Sequence, residues 1–107
     1  MKNTLILLLL VCSTALLAQQ APMVAYTTYH ASGAAHITAF QMNGQFHGKY
    51  MEFDENGQIL AVGQYEEGVK VGTWSVRAAN GKSFYALVYR DDRIQSAREF
   101  AFANDRE

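Results

Sequence analysis

Polar and apolar side chains alternate from Gly48 to Phe53, reading Gly-Lys-Tyr-Met-Glu-Phe, the period of two expected of a strand with one buried face. Asp54-Glu55-Asn56-Gly57 ends that run. Asn-Gly takes up positive φ at low cost and is a strong short-range hairpin signal. Residues 58–65 return as a second strand carrying Ile59, Leu60, Val62 and Tyr65, so the pair predicts a β-hairpin. Another hairpin follows: residues 73–77, a turn over Ala78-Ala79-Asn80-Gly81-Lys82, and the strongly β-prone residues 84–89. Between the two, residues 66–72 read as a polar connection holding Gly68 and Gly72.

The two hairpins repeat each other at a spacing of 24 residues. Gly44 recurs as Gly68, Gly48 as Gly72, Tyr50 as Trp74, Asn56-Gly57 as Asn80-Gly81, and Tyr65 as Tyr89. A period in this range marks a repeat architecture, in which each unit is one supersecondary element unable to bury its apolar face alone. Upstream, Tyr26 lies 24 residues before Tyr50 and Ser32-Gly33 lies 24 before Asn56-Gly57, which predicts a degenerate first copy over residues 26–40. That copy slips by one residue at its end if Phe40 matches Tyr65. Downstream, Asp92 and Ser96 stand where glycine is expected. Residues 97–102 alternate like a last edge strand, although Ile94, Ala97, Ala101 and Asn104 also fit a helical spacing. The strand reading is preferred. Strands joined by glycine turns with no helix between them cannot make parallel crossovers, so the expected fold is all-β, a single antiparallel meander of stacked hairpins.

An apolar run from Leu5 to Leu17 follows Lys2, shorter than a bilayer span and of the length of a secretory signal. Residues 1–18 are therefore expected to be a helical signal peptide cut after Ala18, with Ala21 as the alternative site. Residues 19–25 form a flexible lead and residues 26–107 the β-repeat domain. Cys12 lies in the signal behind Val11, not behind the small residue lipidation calls for, so a lipoprotein is not expected. The protein is expected to be secreted or periplasmic, with no stable membrane insertion after cleavage. Loss of the signal takes the net charge from −1 to −2 and leaves no cysteine. Such a chain has no basic footprint for nucleic acid and no disulfide, and a domain of this size is stable by only a few kcal/mol.

Candidate chemistry is sparse. His30, His36 and His47 match no tight ligand spacing, so neither a metal nor another cofactor is expected. Glu52, Asp54 and Glu55 crowd one turn; a hydrolase carboxylate pair faces itself across a substrate, and a calcium loop has a different order of acids. Ser32, Ser75, Ser83 and Ser96 occupy no nucleophile elbow, and no glycine loop opens a helix. An enzyme is not expected. The aromatic residues Tyr26, Tyr29, Tyr50, Phe53, Tyr65, Trp74, Tyr85 and Tyr89 recur at equivalent positions and are the best binding candidates. For Tyr50, Trp74, Tyr65 and Tyr89 the preferred reading is a core stacked along the sheet, while an exposed part of the ladder would make an interface.

Asn43-Gly44, Gly48, Tyr50, Phe53, Asn56-Gly57, Gly63 and Tyr65 together resemble the MORN-repeat (membrane occupation and recognition nexus) variant of bacterial proteins. The resemblance spans residues 44–89 and, loosely, 26–40; it departs at Arg77, at Leu87 in place of the glycine matching Gly63, and throughout the last copy. It implies an elongated, twisted antiparallel sheet. Some relatives of this kind are labelled antitoxins, and none supplies a catalytic residue. The expected function is an exported, non-catalytic module acting by contact with a protein partner or a second copy. The alternatives are glycan or small-ligand binding through exposed aromatics, and inhibition of an extracytoplasmic partner in the manner of an antitoxin or immunity protein.

Overall fold

The computed structural model describes residues 21–102. The signal peptide and its cleavage site lie outside them. Eight strands form one antiparallel sheet: β1 (Val24–Tyr29), β2 (Ala35–Met42), β3 (Gln45–Phe46), β4 (Gly48–Phe53), β5 (Ile59–Glu66), β6 (Val69–Arg77), β7 (Ser83–Arg90) and β8 (Arg93–Ala101). They run in the order β1-β2-β4-β5-β6-β7-β8, with β3 paired to β2, and no helix occurs among the described residues. The meander follows from its connections: each reversal is a tight turn that can only return the chain antiparallel, while β3 and β4, separated by His47 alone, run on in one direction along β2.

The 24-residue period survives as backbone conformation. At one end of the sheet, both central residues of the turns Asn43-Gly44, Glu67-Gly68 and Asp91-Asp92 have positive φ, between 51° and 83°. That is the geometry of the two-residue turns whose twist matches that of paired strands. At the other end, the carbonyls of His30, Asp54 and Ala78 accept from the N–H of Gly33, Gly57 and Gly81 at 2.9, 3.1 and 2.9 Å. These are wider turns in which the glycine alone is left-handed, with φ of 95°, 84° and 71°. Asn56 and Asn80, expected to share the positive φ of their glycines, do not. In the first of these turns the Asp54 Oδ1 accepts from the N–H of Asn56 and of Gln58, both at 2.9 Å; in the second, where Ala78 offers no such acceptor, the Asn80 Oδ1 accepts from the N–H of Lys82 at 2.8 Å.

Residues 66–72 are not a connection. The chain turns on Glu67-Gly68 and β6 is already paired from Val69, which puts Gly72 inside a strand. Gly72 and Gly48 mark bulges. Between the pairs Gln64↔Val71 and Val62↔Ser75, the single residue Gly63 stands against three residues of β6. Two residues likewise stand against four between Gln41↔Phe46 and Thr38↔Met51. In each case the surplus strand contains a glycine with positive φ, Gly72 at 71° and Gly48 at 91°, and a bulge of this kind re-aims the side chains that follow it. Those side chains are Trp74 and Tyr50. Where Ser96 stands in the corresponding place the surplus falls to one residue, and no aromatic side chain follows.

Two boundaries also move. The lead expected through residue 25 ends earlier, because Val24 and Ala25 already pair with Gln41 and Phe40. The expected slip in the first copy is absent: β2 and β5 are in phase, so Gln41 occupies the place of Tyr65, and Phe40 is 42% exposed. Residues 93–101 form a strand, as preferred over a helix, and all nine are exposed.

Candidate functional site

One face of the sheet carries a continuous chain of rings. Tyr26 meets Phe46, Phe46 meets Tyr50, Tyr50 meets Tyr65, Tyr65 meets Trp74 and Trp74 meets Tyr89, with centroids 5.1 to 6.2 Å apart. Most of these contacts are edge-on, the arrangement that ring quadrupoles favour. Ala39, Tyr50 and Trp74 are its buried centre. Each bulge aims a large ring at a strand whose facing residue is small: Ala39 pairs with Tyr26 beside Tyr50, and Gly63 lies under the indole of Trp74. The Trp74 Nε1–H donates to the carbonyl of Gln64 at 3.1 Å, which satisfies the one polar group of the ring.

Of the eight aromatic residues singled out in the sequence, Tyr26, Tyr50, Tyr65, Trp74 and Tyr89 join this chain. Tyr29, Phe53 and Tyr85 do not; Tyr29 is 65% exposed at the sheet edge. Sequence reasoning missed Phe46 and Lys70, which lie 24 residues apart and do the same job. Phe46 fills the space between Tyr26, Tyr50 and Tyr65, and the Lys70 ammonium sits 5.0 Å from the Trp74 ring and 5.2 Å from that of Tyr89. Their phase in the repeat was the available signal.

Burial, and then the neighbouring Glu52 carboxylate that accepts the Tyr50 hydroxyl at 3.2 Å, push the Tyr50 phenol from 10.0 up to about 12. Tyr65 is raised as well, first by burial and then by Asp92. An acid harder to ionise when folded stabilises the fold only while both states keep the proton. Tyr50 thus contributes stability that is present below pH 10 and lost as the pH rises toward 12, where the unfolded chain has already released its proton. A spectrophotometric titration of folded protein is expected to show at least one tyrosinate forming well after the others, and a melt series should fall over that window. Ionisation of every tyrosine near the free value would contradict the packing.

The opposite face has a different character. Three shallow hollows run together across it. The first is lined by Thr38, Phe40, Lys49 and Met51, the second by Lys49, Val62, Val71 and Ser75, and the third by Val62, Ser75, Arg77, Phe84 and Phe102. Phe84 stacks on Phe100 at 5.5 Å, Arg77 lies 4.7 Å over the Phe102 ring and Arg98 lies 5.7 Å from that of Phe100. Lys49, Arg77 and Arg98 form no ion pair among the described residues, and no acidic side chain lines the three hollows. This face is therefore apolar, cationic and open.

A polar group lies apart at the wide-turn end. The rings of His30 and His36 stack at 4.4 Å, His36 Nε2 is 3.6 Å from Glu52, and His30 Nε2 donates to the carbonyl of Phe53 at 2.9 Å. His47 is elsewhere, accepting the Glu67 N–H at 3.1 Å. Among the described residues no three His, Cys, Asp or Glu side chains converge on a point that would hold a metal ion. His30 and His36 tie the first wide turn to β4; they are placed as clamps. No family model, no curated protein and no solved structure matches the chain.

Proposed function

We propose that the chain is an exported, non-catalytic β-repeat module of the MORN kind that acts by contact with a protein partner, using the face opposite its rings. The observation that carries this is the division of labour between the two faces. The rings are consumed in holding a single-layer sheet together, whereas the other side keeps a run of apolar hollows with three cations that no carboxylate of the described chain neutralises. A sheet normally hides its apolar face beneath a second layer, and here that layer is a partner's. Lys49, Arg77 and Arg98, of which Arg77 is also held by the carbonyls of Ile59 and Gly81, meet no carboxylate of the described chain and select for a surface that presents carboxylates beside apolar groups. The repeat reading draws its support from the 24-residue recurrence of both turn types and of the ring positions.

Reading the rings as a platform for glycans loses its main support. Trp74 is 2% exposed and its N–H is already bonded. An antitoxin-like or immunity-like role is a special case of the same contact, distinguished by what the partner does.

The test is co-purification from the native envelope followed by mass spectrometry, with binding of the identified partner then measured in isolation. Lys49→Glu combined with Arg98→Glu alters two exposed side chains and leaves the rings alone. It is expected to weaken the partner by at least about tenfold, an effect that added salt reproduces in the parent protein. Lys82→Glu, on a turn, serves as the control. Equal loss from the control, or no loss from the pair, rejects the assignment.

A further inference from the structure

Among the described residues the sheet is open, and its two edges are unlike. β8 carries Arg93, Arg98 and Glu99 and itself holds the extra residue of a bulge, Gln95, devices that discourage another chain from pairing with an edge, whereas the bulge next to the other edge lies in β2, at His36. β1, Val-Ala-Tyr-Thr-Thr-Tyr, has no charge and no proline, and Val24 and Tyr29 are 59% and 65% exposed. Its composition is aromatic and β-branched, the kind that pairs best. The ring chain of the core also reaches this edge and stops there, at Tyr26.

From these differences we infer that β1 is a self-association edge, pairing antiparallel with β1 of a second copy about a two-fold axis through Tyr26. The register decides in favour of a second copy. A two-fold axis perpendicular to the sheet places Tyr26 against Tyr26, Ala25 against Thr27 and Val24 against Thr28, so no like charges meet and each pair is apolar or β-branched. Residues directly opposite share a face. The ring face of one copy therefore continues into the ring face of the other, and Tyr26 gains an aromatic neighbour on the side where it has none. A foreign strand would find no charge on this edge to select it, whereas an isologous contact needs only self-complementarity, and two-fold dimers are the commonest assembly. The edge strand is short, so the interface is small and the dimer weak and reversible. The inference uses the backbone edge of β1, whereas the partner-binding face is the adjoining surface whose first hollow Ala25 and Thr27 border; self-association is read with no partner present, so either stands if the other fails.

The experiment is sedimentation equilibrium of the exported protein over a wide concentration range, its N-terminus read by mass spectrometry. The parent protein is expected to pass from monomer to dimer and no further. Thr27→Lys, which places a charge on the pairing edge, is expected to remain monomeric with an unchanged melting curve, while Ser96→Lys on β8 still dimerises. Amide exchange supplies a second reading that needs no variant: N–H groups of Val24–Tyr29 become slower as concentration rises, and those of Arg93–Ala101 do not. A monomer at every concentration, dimerisation lost through Ser96→Lys instead, or open-ended growth that either lysine stops each overturns the inference, the last because it requires β1 to pair with β8.

Discussion

Replacing Trp74 with alanine is expected to unfold the domain at ordinary temperature. The indole is the most completely buried large side chain among the described residues, at 2% exposed, and touches Tyr50, Tyr65 and Tyr89 at once. Removing a buried tryptophan costs about 3–5 kcal/mol. The whole stability of a small domain without disulfide or metal is of that same size. Little relaxation is available to reduce the loss, since the ring lies on a single layer with no second sheet or helix to settle into the gap. Trp74→Phe separates the contributions. It keeps an aromatic ring between the tyrosines but leaves the Gln64 carbonyl without its donor, for about 1–3 kcal/mol. Far-UV circular dichroism and chemical denaturation check both. A cooperative melt in Trp74→Ala within a few degrees of the parent would show that the ring chain is not the core.

The order of those two variants reflects what was legible in the sequence. The period of 24 located the three wide turns and the rings Tyr26, Tyr50, Trp74, Tyr65 and Tyr89, because both are set by local requirements: glycine where φ is positive, and an aromatic residue wherever a unit must meet its neighbour. Which turn had which conformation was less accessible. Glu67 has φ of 51° although glutamate has no preference for that region, and it is held there by pairing on both sides and by the bond from its N–H to His47. Residues 66–72 looked like a connection because two glycines flank alternating Val69, Lys70 and Val71. Only the paired neighbours reveal that Gly68 turns the chain while Gly72 bulges it. The same misreading hid Phe46 and Lys70, which sit in the corresponding places. The open cationic face was beyond reach of the sequence, since it depends on which of two alternating sets is turned away from the rings, and each bulge resets that alternation.

Gly63→Ala, the addition of one methyl group, is expected to cost nearly as much as losing Trp74. Gly63 has no positive φ, so backbone conformation is not what requires glycine there. Space is. A Cβ at this position would fall within the indole, 2.5 Å from Cγ of Trp74 and closer still to the atoms of the ring junction. Overpacking ordinarily costs about 1–3 kcal/mol, when neighbours can shift. Here the obstructing group is a rigid double ring clamped by three tyrosines and its hydrogen bond, so the cheapest response is to expel it. Expulsion sets the ceiling at the cost of Trp74→Ala, about 3–5 kcal/mol. The decisive measurement is therefore the double variant, in a stabilising osmolyte so that all four proteins fold. Once the ring is gone, Gly63→Ala meets no obstacle and removes a flexible residue from a strand, so it should change sign and stabilise by about 0.5–1 kcal/mol. The glycine's absence at Leu87 fits the same rule: Leu87 packs beside Trp74 of β6, but β8, the next strand, sets Ala97 against it and not a ring. Equal destabilisation by Gly63→Ala with and without the indole would mean that the glycine serves the backbone, and that the pairing of a large ring with a small residue is not what the 24-residue period preserves.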